Sequence, residues 1–425
     1  MKQTNTESTA PFDQAAVGVL ADSGSYRWTI LAVAFTILLM AAGIGMHTLP
    51  VFLLPLENYF HTSRTLLSTF SGMLFLVTGV ASPLMGYLIH RYSTRQVMMA
   101  GALLTGLGFF LISLSAQVWQ LFVFGLPLAF SIVAISHLPN QTLVMQWFTR
   151  QRGRAVGILL MAPAIGGMIF APLAHYLLEF LSWQQVYAFF ALFIVGIVFP
   201  VAYFFVRDNP QSQSPPNSQA AANDSGLSSM REVIGSRSLW LIFIAQLCIF
   251  TALGVTNTQI VAIVVASGYG QILGEQTAEF VGSQTIAAYL VMSVLGGLLS
   301  GFYSEKLKIK MILTVNLTGM LMGCLFLYKL QNIYTLAAFA VCYGLGMGGG
   351  MVVLSLFIIE TFGITLFSRV MGVMTVAITL GMGIGPVIGG LIYDGTGSYQ
   401  WAFAMMGILF LCAMVAVGNV KSVKK

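Results

Sequence analysis

The sequence predicts an all-α polytopic membrane protein, with twelve transmembrane helices in two pseudo-symmetric six-helix halves. Composition is the first reason. Of 425 residues, 57% are hydrophobic and 8% charged, against roughly 25% charged in an ordinary soluble domain. Water cannot be the main solvent of such a chain, which disfavours a soluble enzyme, a nucleic-acid binder and a disordered regulator together. Run length is the second reason. A helix needs about 20 apolar residues to cross the hydrocarbon core, and the chain holds twelve such runs. An internal repeat is the third, and it divides the runs six and six.

Taken in order, residues 1–26 form a polar tail without the short apolar core of a signal peptide. The N-terminal half, 27–206, contains runs at 27–53, 65–89, 96–115, 119–147, 154–181 and 183–206. Residues 207–237 are the one long polar stretch. Asn209-Pro210, Ser214-Pro215-Pro216 and a Ser/Gln/Asn/Ala-rich segment give it the composition of a flexible linker. The C-terminal half, 238–419, contains runs at 238–266, 278–303, 309–329, 333–361, 368–393 and 399–419, and a short tail, 420–425, follows.

Charge sets the orientation. With both termini in the cytoplasm, all of the 19 Lys and Arg residues except Arg64 and Lys329 fall on the cytoplasmic side, as the positive-inside rule requires. The formal net charge of +6 therefore points to anionic lipid headgroups, not to nucleic acid. A multi-pass protein of the cell inner membrane is expected, monomeric in the lipid bilayer. Cys248, Cys324, Cys342 and Cys412 each sit inside an apolar run, with no pair at metal or disulfide spacing. No metal and no cofactor are expected.

The repeat is read from two landmarks. Gly86-Tyr87-Leu88-Ile89-His90-Arg91, before Arg95, follows the second run, and Gly301-Phe302-Tyr303-Ser304-Glu305-Lys306, before Lys310, follows the eighth. Arg154-Ala155-Val156-Gly157 opens the fifth run and Arg369-Val370-Met371-Gly372 the eleventh. Both offsets are the same, 301 − 86 = 369 − 154 = 215. Two six-helix repeats joined by a cytoplasmic linker form a transporter layout, with the substrate site expected between them near the midplane.

With these residues in view, the sequence resembles the major facilitator superfamily over essentially its whole length. Gly86 to Arg95 and Gly301 to Lys310 match that superfamily's loop motif between helices 2–3 and 8–9. Gly381-Met382-Gly383-Ile384-Gly385-Pro386 with Gly389-Gly390 resembles its glycine-rich packing motif in helix 11. A narrower resemblance is to bacterial monocarboxylate and oxalate/formate-type porters. Pro55-Leu56 followed by Phe60-His61-Thr62-Ser63-Arg64 is similar to their link from helix 1 to helix 2. Trp147-Phe148 with Arg150 and Arg152-Gly153-Arg154-Ala155-Val156-Gly157 resembles their entry into helix 5. Two departures stand out. His90 occupies a position where the first loop motif carries an Asp, while Glu305 keeps an acid in the second. The cation that such anion porters place in helix 8 or helix 11 has no counterpart here: helix 8 has no Lys or Arg before Lys306, and helix 11 has none after Arg369.

Ionisable groups inside a membrane are functional candidates by default, and here the mid-membrane candidates are polar but neutral. His137, Asn140 and Gln141 share one helix face at i, i+3 and i+4, with Pro127 and Pro139 disturbing the backbone nearby. They either bind substrate, with His137 also taking a proton, or join helices by hydrogen bonds. Aligning Trp28 with Trp240 places His47 opposite Gln259, as a substrate-lining pair or as an outer-gate contact. Asn257 and Gln284 complete the substrate-binding candidates. His175 with Glu179 at i, i+4 is a proton-coupling candidate or a surface pair. Glu360 ends helix 10 nine residues before Arg369, as a gate latch or a proton carrier. His90, Arg91, Arg95, Arg154, Glu305, Lys306, Lys310 and Arg369, with Gly86 and Gly301, mark the gating loops. Gly344, Gly346, Gly348, Gly349 and Gly350 have no preceding strand and no following Lys-Ser/Thr, so they read as close helix packing and not as a phosphate loop.

A secondary active transporter working by alternating access follows, driven by a proton or solute gradient because no ATP-binding motif is present, with protons the expected coupling ion. The porter-like helix ends point to a small monocarboxylate. The missing cation in helices 8 and 11 points instead to export of a weakly polar or hydrophobic metabolite or drug. A membrane enzyme would need a metal, triad or carboxylate cluster that the five His and four Cys do not form.

Overall fold

The structure is a computed structural model that describes residues 26–148, 152–207, 234–304 and 306–420. Its described residues hold twelve helices long and apolar enough to cross a membrane. In the first half these are α1 (Tyr26–Phe60), α2 (Arg64–Ile89), α3 (Thr94–Ser113), α4 (Val118–Trp147), α5 (Arg154–Leu178) and α6 (Trp183–Phe205). In the second half they are α7 (Arg237–Ala266), α8 (Gln276–Tyr303), α9 (Ile309–Tyr328), α10 (Ile333–Phe362), α11 (Val370–Thr396) and α12 (Gln400–Asn419). With no water in the hydrocarbon core, the backbone must satisfy itself, and helices do so segment by segment. Tyr26, Arg237 and Asn419 lie on one face of the bundle, here called the terminal face; the opposite one is the far face. Exposed Trp28 and Trp240 ring the terminal side, and exposed Trp119, Tyr334 and Trp401 the far side, as interfacial aromatics do.

Polar caps end the helices where the sequence turns polar. Ser93 and Ser182 close capping boxes with Gln96 and Gln185, and Asn332 with Thr335. Gly363, at φ +84°, is the one residue between the end of α10 and a helix that restarts at Ile364 and runs on through α11, a conformation that a side chain resists.

The first helix differs from its expected extent. The sequence places its end at residue 53 and reads Pro55 to Arg64 as a link. The helix instead breaks at residues 46–48, restarts at Leu49 and runs to Phe60, with Pro55 inside it. Burial of Phe52, Leu53, Leu54 and Leu56 outweighs the one hydrogen bond that Pro55 cannot donate, and the turn shrinks to His61–Ser63. α4 also breaks, through a short 3-10 segment at Val133–Ile135 before a new helix starts at His137. Most of the 207–237 linker, both tails and Glu305 lie outside the described residues, as do the side chains of His90 and Arg369.

Within the second half, α10 packs on both α8 and α9, and glycine makes that approach possible. A Cβ at Gly344 or Gly348 would run into the backbone carbonyls of Tyr289 and Ser293 in α8. Tyr343 of α10 donates to Thr256 Oγ1 of α7 at 2.9 Å, and Tyr289 of α8 donates to Asn257 Oδ1 at 3.2 Å. Three helices are thereby tied in the half's interior.

Between the halves the main packing is α2 on α11, the Ala162–Leu178 part of α5 on α8, and the Leu49–Phe60 part of α1 on α7. Glycines again allow it: Gly390 meets the Thr65 backbone, Gly72 and Leu76 meet Gly383, and Gly79 meets Thr379. That contact surface stops abruptly. Val80 continues the Leu76 face of α2 and Val376 the Thr379 face of α11, yet they are 81% and 51% exposed. The halves therefore meet on the far side and part on the terminal side.

Candidate functional site

The far-side contact is a polar seal built from the ends of α1, α2 and α11. Arg64 opens α2 and is only 7% exposed. Its Nε donates to Glu57 Oε2 at 2.8 Å and its Nη1 to the Tyr399 hydroxyl at 3.2 Å. The guanidinium lies 3.8 Å from the centroid of the Tyr393 ring, and Tyr393 stacks on Tyr399 at 4.7 Å. Burial raises the Tyr399 phenol pKa, so the hydroxyl stays neutral. One residue on, the Thr65 amide and hydroxyl both donate to Asp394 Oδ2, at 2.8 and 2.5 Å. Asp394 thus caps the start of α2 from the other half, where a carboxylate meets the positive end of the helix dipole. Deeper in, Gln259 of α7 donates to Ser68 Oγ of α2 at 3.2 Å and to the Pro386 carbonyl at 2.8 Å.

A partly buried ion pair such as Glu57–Arg64 adds little net stability, because desolvation offsets attraction, but it can specify one of two states. Apart from the Tyr393 ring, the groups of the seal are held by hydrogen bonds that water could replace.

On the other side of the seal lies His137. It begins the second segment of α4 and is exposed. The His47 ring of α1 packs on Gly167 of α5, and Leu290 of α8 meets the same glycine.

The other predicted residues divide. Asn140 follows His137 by three residues on the same unbroken segment, but the two differ in exposure. Asn140 is fully buried, and its amide donates to the carbonyls of Ile135 (2.8 Å) and Ser136 (2.7 Å). Pro139 has no N–H to offer the Ile135 carbonyl, and the Asn140 amide supplies the donor there. Gln259 belongs to the seal and Asn257 to the α7–α8 tie. Gln284 is exposed on α8. His175 Nε2 stands 3.6 Å from Glu179 Oε1, with Glu179 half exposed, and the His175 ring meets Phe280 of α8 across the halves at 5.8 Å. Glu360 is exposed at the end of α10.

Among the loop residues, Arg91 Nη1 donates to the Tyr87 hydroxyl at 3.0 Å, Arg95 lies over Tyr203 at 4.8 Å, and Lys306 over Phe302 at 4.3 Å. Lys310 Nζ donates to the Gly418 and Val420 carbonyls that end α12. Arg154 is exposed, and Gly86 faces Leu138 of α4, while a Cβ at Gly301 would meet open space. On the terminal side these described partners come from the same half as the cation.

Sequence reasoning passed over the seal itself: Glu57, Arg64, Thr65, Tyr393, Asp394 and Tyr399. One signal was present, since Arg64 and Lys329 are the two cations that the orientation rule leaves on the wrong side.

The chain matches the Major Facilitator Superfamily profile over residues 33–280 and 247–420. It belongs to that superfamily. Superfamily relatives fall in two groups. The uncharacterised MFS-type transporter YcxA of Bacillus subtilis is 21% identical, covering 88% of this chain and 90% of the relative. Human monocarboxylate transporter 2 is 24% identical, covering 93% and 86%, and human monocarboxylate transporter 6 is 23% identical, covering 93% and 80%. Among solved structures, the fold is similar to a bacterial homologue of the human lysosomal transporter Spinster in an inward-facing, unoccupied conformation. That match has TM-score 0.68 and 14% identity, covering 94% of this chain and 95% of the other. A point mutant of the nucleoside transporter NupG gives TM-score 0.73 at 13% identity, covering 94% and 100%. The protein is thus a multi-pass membrane transporter of this superfamily, with relatives in the monocarboxylate group.

Proposed function

We propose that the protein moves small monocarboxylates across the cell inner membrane by alternating access, in symport with protons. The observation that carries the reading is the far-side seal. Its contacts join opposite halves through hydrogen bonds and one ion pair, while the terminal side stands apart, which is one end state of a rocking cycle. The terminal face is the cytoplasmic one, since the chain's bases gather there, and both termini lie inside. Nearly full-length likeness to monocarboxylate transporters supports the substrate class. His137 is the proton and substrate group: it is exposed at the start of the second segment of α4, and an imidazole can take up and release a proton. The transporter acts as a monomer in the bilayer, with substrate and protons as its partners.

Export of a weakly polar solute is the second reading, favoured by the lack of any Lys or Arg within α8 or α11. Uptake of labelled lactate and pyruvate into proteoliposomes separates the two. The expected result is accumulation that rises with an inward proton gradient, and that falls to background in His137→Ala while the variant still inserts and elutes as a single species. No uptake by the wild type, together with drug resistance on expression, overturns the monocarboxylate reading. Full uptake by His137→Ala retires that residue's role.

A further inference from the structure

Arg64 is the one Lys or Arg classed as buried among the described side chains. Its partners come from both halves, and they divide unequally. Glu57, in the first half, holds Nε. The Tyr399 hydroxyl on Nη1 and the Tyr393 ring beneath the guanidinium both belong to the second half. So does Asp394, whose carboxylate takes the neighbouring Thr65 amide and hydroxyl.

Parting the halves on the far side removes all three second-half partners at once. What stays on α2 is a guanidinium with its Nη groups freed, beside a threonine hydroxyl and amide that had been donating to a carboxylate. Glu57 alone remains as counter-charge. A planar guanidinium fork with an adjacent hydroxyl is a strong, geometrically selective receptor for carboxylate. In the closed structure the Thr65 part of that site already holds a carboxylate, that of Asp394.

We propose that Arg64 and Thr65 seat the substrate's carboxylate in the far-side-open state, in the positions that Tyr399 and Asp394 vacate. This rests on the monocarboxylate reading. It supplies the cation that α8 and α11 lack, at a different place in the fold. It also gives closure a direction. As the halves rejoin, Asp394 and Tyr399 reclaim their donors, and the substrate is displaced from the mouth toward His137.

The test is the KM for labelled lactate uptake by the full-length protein in proteoliposomes, with substrate added at the far side. Arg64→Gln is expected to raise KM about tenfold or more, since a charge-assisted pair is lost. Glu57→Gln is expected to lower KM, because the guanidinium loses its competing carboxylate. A seal-only role moves both variants in the same direction, and that result overturns the proposal. If Arg64→Gln does not fold, Thr65→Val carries the test: a raised KM with little change in maximal rate supports the site, and an unchanged KM overturns it. Absence of lactate and pyruvate uptake by the wild type overturns both the site and the function reading. Normal wild-type uptake with an unchanged KM in Arg64→Gln overturns the site alone.

Discussion

Cross-linking Thr65→Cys to Asp394→Cys is expected to abolish transport, with recovery on reduction. The two native side chains already meet across the halves, with oxygens 2.5 Å apart. A disulfide there, or a mercuric bridge between the thiols, replaces a breakable hydrogen bond with a covalent tie. The Thr65 backbone is also pressed against Gly390, so the ends of α2 and α11 have no slack to open around the link. If the seal must part once per cycle, the oxidised double variant gives uptake at background, and dithiothreitol restores it. The single-cysteine variants, oxidised in parallel, must retain their reduced-state rates. Undiminished uptake by the cross-linked protein would show that the far side stays closed throughout, and the gate assignment would fail.

The second large effect concerns folding. Gly348→Val is expected to destabilise the second half by about 3 kcal/mol or more, the upper range for overpacking, and to appear as loss of monodisperse protein. A Cβ at Gly348 lands on the Ser293 carbonyl of α8. Backbone atoms of a packed helix cannot rotate aside as a side-chain tip can. In a bilayer, close packing of this kind is a main driving force for helix association, because lipid is as apolar as the core. Gly350→Ala is the control: a Cβ there meets nothing within 4 Å, and alanine is the better helix former. Equal tolerance of both changes would contradict the packing role assigned to the glycine run.

The helices were legible because the bilayer imposes one simple rule, length of apolar run, and the chain obeys it. Exceptions arose where packing overrode punctuation. Pro55 and the polar residues after it look like a loop in sequence, yet Leu53, Leu54 and Leu56 bury and carry the helix to Phe60. On helix 4 the spacing holds, since His137 and Asn140 lie at i and i+3 on one unbroken segment, His137–Trp147. Burial was not legible: Pro139 offers no N–H to the Ile135 carbonyl, the Asn140 side chain serves it instead, and Asn140 is buried while His137 keeps its exposure. The seal was the least legible part. Its members look like ordinary loop-end residues, and only the fold brings Arg64 to Tyr399, 335 positions away. A pattern search along the chain has no term for that, although Arg64's breach of the orientation rule marks its half of the contact.

Spin-label distance measurement across the far face tests the central claim most directly. Trp119 and Tyr334 are both exposed at the far ends of α4 and α10, on opposite halves and outside the seal, so Trp119→Cys and Tyr334→Cys report separation without disturbing it. The account predicts one short distance population in the substrate-free protein, and a second, longer one once lactate is added at acidic pH. A single distance that neither lactate nor proton concentration moves, in protein that transports, would contradict it.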